Sequence, residues 1–69
     1  MDEKYKSQLK FQRVAIGMTQ TQLSEASGVN VRQIQRVESG SSTEGNMAAK
    51  NLLAIADALG VDPHILVEG

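Results

Sequence analysis

Between Val31 and Arg36 the chain carries four side chains that could address a nucleic-acid base edge: Val31, Arg32, Gln35 and Arg36. Advancing roughly 100° per residue from Val31, Gln35 lies near 40°, Arg32 near 100° and Arg36 near 140°. Ile34 and Val37 fall on the opposite side, beside Gln33. An arginine can give two hydrogen bonds to guanine and a glutamine two to adenine, while a valine methyl meets the thymine methyl. No acid interrupts this face, and an acid there would repel phosphate. On composition alone, a solvated helix face that happens to hold Arg and Gln accounts for the pattern equally well.

A face of this kind needs elements to aim it, and those are legible on either side. Thr19 and Gln22 have the spacing of a capping box, opening a short helix with Leu23 and Ala26 inward that Gly28 stops. Asn30 is a good N-cap for the next helix, and Val29 and Ile34 stand where a hydrophobic staple puts its two members. That helix runs to about Glu38 and ends at Ser39-Gly40. Helix, short glycine-containing turn and helix over about residues 19–39 outline a helix-turn-helix, although any αα-hairpin gives the same outline.

Before it, Asp2 to Ile16 holds no Gly or Pro and is expected to be one helix, ended by Gly17. One stripe carries Tyr5, Leu9, Arg13 and Ile16. A second carries Phe11, Val14, Ala15 and Met18. One stripe should meet the core; the other is covered later in the chain or left for a partner. After the motif, residues 41–46 form a Ser/Thr/Gly-rich loop, with Asn46 a candidate cap for the following helix. Leu52, Ile55, Ala56 and Leu59 repeat at helical spacing, and Gly60 closes that helix. Asp62-Pro63 suits an N-cap followed by proline at the first helical position, and Val61 and Leu66 form another staple pair. The expectation is five short helices and no strand.

Length and composition bound the rest. Sixty-nine residues make one domain, residues 1–69, whose chain buries only about 60% of its unfolded surface. There is no cysteine, one Tyr and one Phe, so the core is aliphatic and a stacking platform for single strands is close to excluded. No apolar run approaches the ~18 residues of a membrane span, and the expected location is the cytoplasm. The lone His64 has no evident metal partners and is read as a surface residue. The chain lacks a plausible set of nucleophile, base and orienting group, so it is not expected to be an enzyme or to need a cofactor, metal or small-molecule ligand. The formal net charge of −1 hides an asymmetry. Through Arg36, six basic residues face three acids; from Val37 onward, Lys50 alone faces five acids. A basic half can face a polyanion even in a slightly acidic protein.

The string GMTQTQLSEASGVNVRQIQRVESG, continued by NLLAIADALGVDP, resembles the Cro/phage-repressor (XRE-type) helix-turn-helix family from about Leu9 to Leu66. The resemblance implies an all-α, compact, five-helix lambda-repressor-like DNA-binding domain. It also implies a sequence-specific regulator of transcription, most simply a repressor, acting as a homodimer on a palindromic duplex operator. Gln20 matches the family's glutamine at the start of helix two, which contacts phosphate and braces the recognition helix. Asn30, Val31, Arg32, Gln35 and Arg36 match positions that meet the groove, Asn30 on the backbone side. Arg13 and Glu38 match a pair joined by a salt bridge in some relatives. Leu23, Ile34, Val37, Leu52, Ile55, Leu59 and Leu66 fall at core positions.

Two departures stand out. Ser24 replaces the commoner alanine. Ser41, Ser42, Thr43 and Glu44 occupy the loop where relatives often carry Lys or Arg. Few basic contacts imply weak non-specific binding and a shallow salt slope. Hydroxyls and amides of Ser39, Ser41 and Ser42 remain candidates to hold phosphate. Ile65 and Val67 could pack on helix one or form a dimer patch, and Phe11, Val14 and Met18 are the competing patch; either could serve a self-complementary interface. The competing reading is a protein-interaction module of antitoxin or adaptor type that keeps the fold with weak or no DNA binding, consistent with the sequence pI of about 5.7.

Overall fold

A computed structural model describes residues 7–40 and 47–68, the Glu68 side chain excepted. Five helices follow one another, and no strand occurs among the described residues. They are α1 (Gln8–Ala15), α2 (Gln20–Ser27), α3 (Val31–Ser39), α4 (Ala49–Leu59) and α5 (Pro63–Glu68). α2 packs on α3 and α4, α4 on α5, and α1 closes the bundle against α3 and α5.

One side chain from each helix anchors this arrangement. Leu9, Leu23, Ile34, Ile55 and Leu66 are the largest fully buried residues. Each such burial removes an aliphatic side chain from water, a gain of about 1.5–3 kcal/mol. Val29, Val37, Met47, Ala56 and Leu59 complete the buried cluster, with Met18, Leu52 and Val61 packed at its edge.

The helix ends follow local chemistry. Thr19 accepts from the Gln22 amide at 3.0 Å while the Gln22 side chain accepts from the Thr19 amide at 2.8 Å, the reciprocal capping box. Asn30 Oδ1 accepts from the Arg32 amide at 2.8 Å and starts α3. Asp62 Oδ1 accepts from the His64 amide at 2.9 Å ahead of Pro63 in α5. The α2–α3 turn is held by two serines. Ser24 Oγ donates to the Val29 carbonyl at 2.6 Å. Ser27 Oγ donates to the Leu23 carbonyl at 2.7 Å and accepts from the Val29 amide at 3.2 Å. Ser24, where alanine is commoner, therefore helps close the turn. Gly28 reverses the chain there with φ +77°, a left-handed conformation that disfavours any Cβ.

Several expectations need correction. The first helix does not begin at Asp2. Ser7 adopts extended backbone and caps α1, its hydroxyl accepting from the Lys10 amide at 3.3 Å. Serine competes for backbone partners in this way and so marks a helix start. Asp2 to Lys6, including Tyr5, lie outside the described residues. At the other end, the Gly17 amide donates to the Val14 carbonyl and the Met18 amide to the Arg13 carbonyl, a Schellman closure. The reversal leaves Ile16 out of its stripe and 53% exposed, while Met18 packs on the core edge. Ala26 is exposed rather than inward. Asn46 lies outside the described residues, and the N-cap of α4 is Ala48, with no side-chain cap bond.

Candidate nucleic-acid interface

α3 is held from behind and free in front. Ile34 and Val37 bury its inner side. Asn51 Nδ2 donates to Gln33 Oε1 at 3.3 Å, tying the helix to α4. Arg32, Gln35 and Arg36 are exposed on the outer side, and Val31 is half-buried at the first turn.

The far end of α3 is fixed by a buried ionic network. Glu38 receives two hydrogen bonds from Arg13, from Nε at 2.7 Å and Nη2 at 2.8 Å. Gln20 Nε2 donates to the same carboxylate at 2.9 Å. Arg13 Nη1 donates to the Met18 carbonyl at 2.6 Å. The two charged side chains retain only 11% and 3% of their exposure. The hydrogen bond to Glu38 raises the Arg13 pKa above its ordinary value, against the opposing effect of burial and with added attraction from the carboxylate charge. Three helices thus meet at one carboxylate: α1 through Arg13, α2 through Gln20 and α3 through Glu38. The orientation of α3 is set by that junction.

The remaining candidate residues fall as follows. Gln20 spends one amide hydrogen on Glu38 and keeps a second. Four amides at a helix start lack intrahelical partners; in α2 the capping box and Thr19 satisfy two, leaving those of Gln20 and Thr21 for an outside acceptor. Asn30 is exposed, its carboxamide oxygen used by its own cap. Ser39 Oγ donates to the Arg36 carbonyl at 3.1 Å, so its hydroxyl hydrogen is committed in this geometry. Ser41 and Ser42 lie outside the described residues. Phe11 and Val14 on α1, with Ile65 and Val67 on α5, are 42–44% exposed on two helices that pack together. Sequence reasoning passed over Leu53, which is 55% exposed. It is the second leucine of Leu52-Leu53, off the buried stripe, and that offset was the available signal.

Among the described residues, no three His, Asp or Glu side chains gather as a metal site. The exposed His64 Nδ1 sits 2.9 Å from Asp62 Oδ1. No helix among them is long and apolar enough to cross a membrane.

Residues 9–66 match the helix-turn-helix family along their length. The chain belongs to the Cro/phage-repressor (XRE-type) helix-turn-helix family. This regulator is also similar to the restriction-modification controller protein C.AhdI from Aeromonas hydrophila, known from a high-resolution crystal structure. The two share 32% identity over 86% of this chain and 85% of that one, with a TM-score of 0.75. Comparison with curated proteins gave no significant match. The all-helical fold and the family assign the chain as a DNA-binding transcriptional regulator, in a family of regulatory proteins rather than enzymes.

Proposed function

We propose that this regulator reads the major groove with α3, as a homodimer on a palindromic operator, and represses by denying the promoter to other proteins. Arg32 and Arg36 hydrogen-bond guanine edges, Gln35 an adenine, and Val31 meets a thymine methyl. Gln20, through its free amide hydrogen and the first-turn amides of α2, holds a phosphate, the usual affinity of a helix N-terminus for an anion. Asn30 Nδ2 on one side and Ser41 and Ser42 on the other hold the backbone. Ile65 and Val67, or Phe11 and Val14, join the two copies. Control of a restriction-modification gene set is the specific role favoured by the likeness to C.AhdI.

The carrying observation is the exposed Arg32, Gln35 and Arg36 on a helix braced at Glu38 from two other helices. Pre-set donors of this kind lose little freedom on binding, which favours recognition. Arg32→Ala and Arg36→Ala test the assignment. Each should weaken binding to a selected operator by about 1–3 kcal/mol per half-site and relax the preference at one base pair in each half-site, with the circular-dichroism melt unchanged. Unchanged affinity in both variants would remove α3 from the groove.

A further inference from the structure

The described residues 7–40 hold four cations: Lys10, Arg13, Arg32 and Arg36. Arg13 is neutralised by Glu38. Arg32 and Arg36 are directed to bases in the reading above, and α2 has no basic residue. The 41–44 loop also lacks one. Among the described residues 7–40 that leaves Lys10 as the cation for the DNA backbone, with Lys4 and Lys6 outside the described residues and Lys50 on α4, and its position is specific. A cleft of about 320 Å³ opens where α1, α2 and α3 meet, lined by Lys10, Arg13, Gln20, Gln35, Glu38 and Ser39.

Every residue lining this cleft is polar or charged. The Arg13–Glu38 pair cancels within its walls, so the net charge there is the single positive charge of Lys10. Gln35 lines the cleft from the recognition helix, and Gln20 from α2. A phosphodiester belonging to the strand whose base Gln35 reads would therefore fall between the Gln20 amide and the ammonium. We infer that Lys10 and this cleft form a phosphate clamp that couples α1 directly to the operator backbone, replacing the basic loop this chain lacks. Lys10 acts as a positioning residue: a point charge on a flexible stem contributes affinity and register without reading sequence.

This inference rests on the groove reading of α3, and the experiment separates the two. Wild type, Lys10→Gln, Lys10→Arg and, as a control from α4, Lys50→Gln are titrated with a duplex enriched from a random pool and with an unrelated duplex across a salt series. Neutralising one phosphate contact lowers the log–log salt slope by about 0.9. The proposed homodimer loses two such contacts, so Lys10→Gln should bind both duplexes about sixtyfold more weakly at 0.1 M salt and lose about twelvefold less affinity between 50 and 200 mM. Lys10→Arg should restore the slope, and Lys50→Gln should leave it unchanged. A scan of single neutral methylphosphonates adds a test independent of variant folding. One position beside the base read by Gln35 should cost wild type about eightfold and Lys10→Gln nothing. An unchanged slope in Lys10→Gln, or no such position, overturns the clamp while leaving the groove reading intact. Failure of wild type to bind any duplex overturns both.

Discussion

Removing the Glu38 carboxylate should be among the most damaging single changes in the molecule. In Glu38→Ala, Arg13 loses two charge-assisted hydrogen bonds and Gln20 loses one. The guanidinium stays in a site where its side chain is only 11% exposed. Breaking one partner of a buried pair costs about 3–5 kcal/mol, mostly as an uncompensated charge. At about 0.05–0.15 kcal/mol per residue, the whole domain has about 3–10 kcal/mol to lose. Urea unfolding followed by the helical circular-dichroism signal should therefore find Glu38→Ala near or past its folding midpoint in buffer. Replacing both charges in Arg13→Met/Glu38→Met removes the buried ion pair itself, and apolar replacement of a pair is often neutral or better. The Met18 carbonyl would still lose the Arg13 donor, a penalty of about 1–3 kcal/mol. The double variant should thus be more stable than Glu38→Ala and slightly less stable than wild type. It should also bind DNA weakly, since Gln20 and α3 lose their common anchor. A Glu38→Ala loss below about 1 kcal/mol would refute the argument that this junction sets the position of α3.

Two further outcomes follow from the termini and the exposed faces. Hydrogen bonds from the His64 backbone amide and then from its ring hold the Asp62 carboxyl below its ordinary pKa. A depressed carboxyl stabilises the native state above its unfolded value and loses that effect as pH falls through its folded value. The helical signal of wild type should fall on acidification below the ordinary carboxylate range, whereas Asp62→Asn, which keeps a neutral cap acceptor, should lack that component of the pH dependence. Ile65→Asp, placing a charge on a face that is 43% exposed, should leave the fold intact and reduce dimer mass in analytical ultracentrifugation, with Phe11→Asp as the alternative patch. Dimers unaffected by either variant would remove both patches and direct attention to Leu53 on α4.

The fold was legible where local chemistry decides. Thr19 with Gln22, Asn30, and Asp62 before Pro63 mark three helix starts through side chains acting two or three residues away. Leu23, Ile34, Ile55 and Leu66 announce themselves by helical spacing. The start of α1 was obscured because Ser7 lies in a run with no Gly or Pro, and serine serves equally as an interior residue or a cap. Ala26 shows the limit of periodicity, since a small residue on the inner stripe is buried only if a neighbour reaches it. The exposure of Arg32, Gln35 and Arg36 on α3 was legible because it follows from the helix period, whereas Val31, at the first turn, is half-buried. The junction at Glu38 was not legible in that way. Arg13 lies 25 residues from Glu38 and Gln20 lies 18, so only the resemblance suggested the first pair, and nothing local pointed to a Gln20–Glu38 bond. The cleft beside Lys10 depends on how α1 crosses α3, which no pattern within α1 specifies.

The most direct test of the central claim is selection of duplex DNA from a randomised pool by the purified, folded protein at low salt, followed by sequencing. A palindrome whose half-sites lie about one helical turn apart is the predicted result, matching two copies of α3 in successive major grooves. No enriched sequence, from protein whose helical signal and melt are intact, would contradict the account and favour a fold kept for binding another protein.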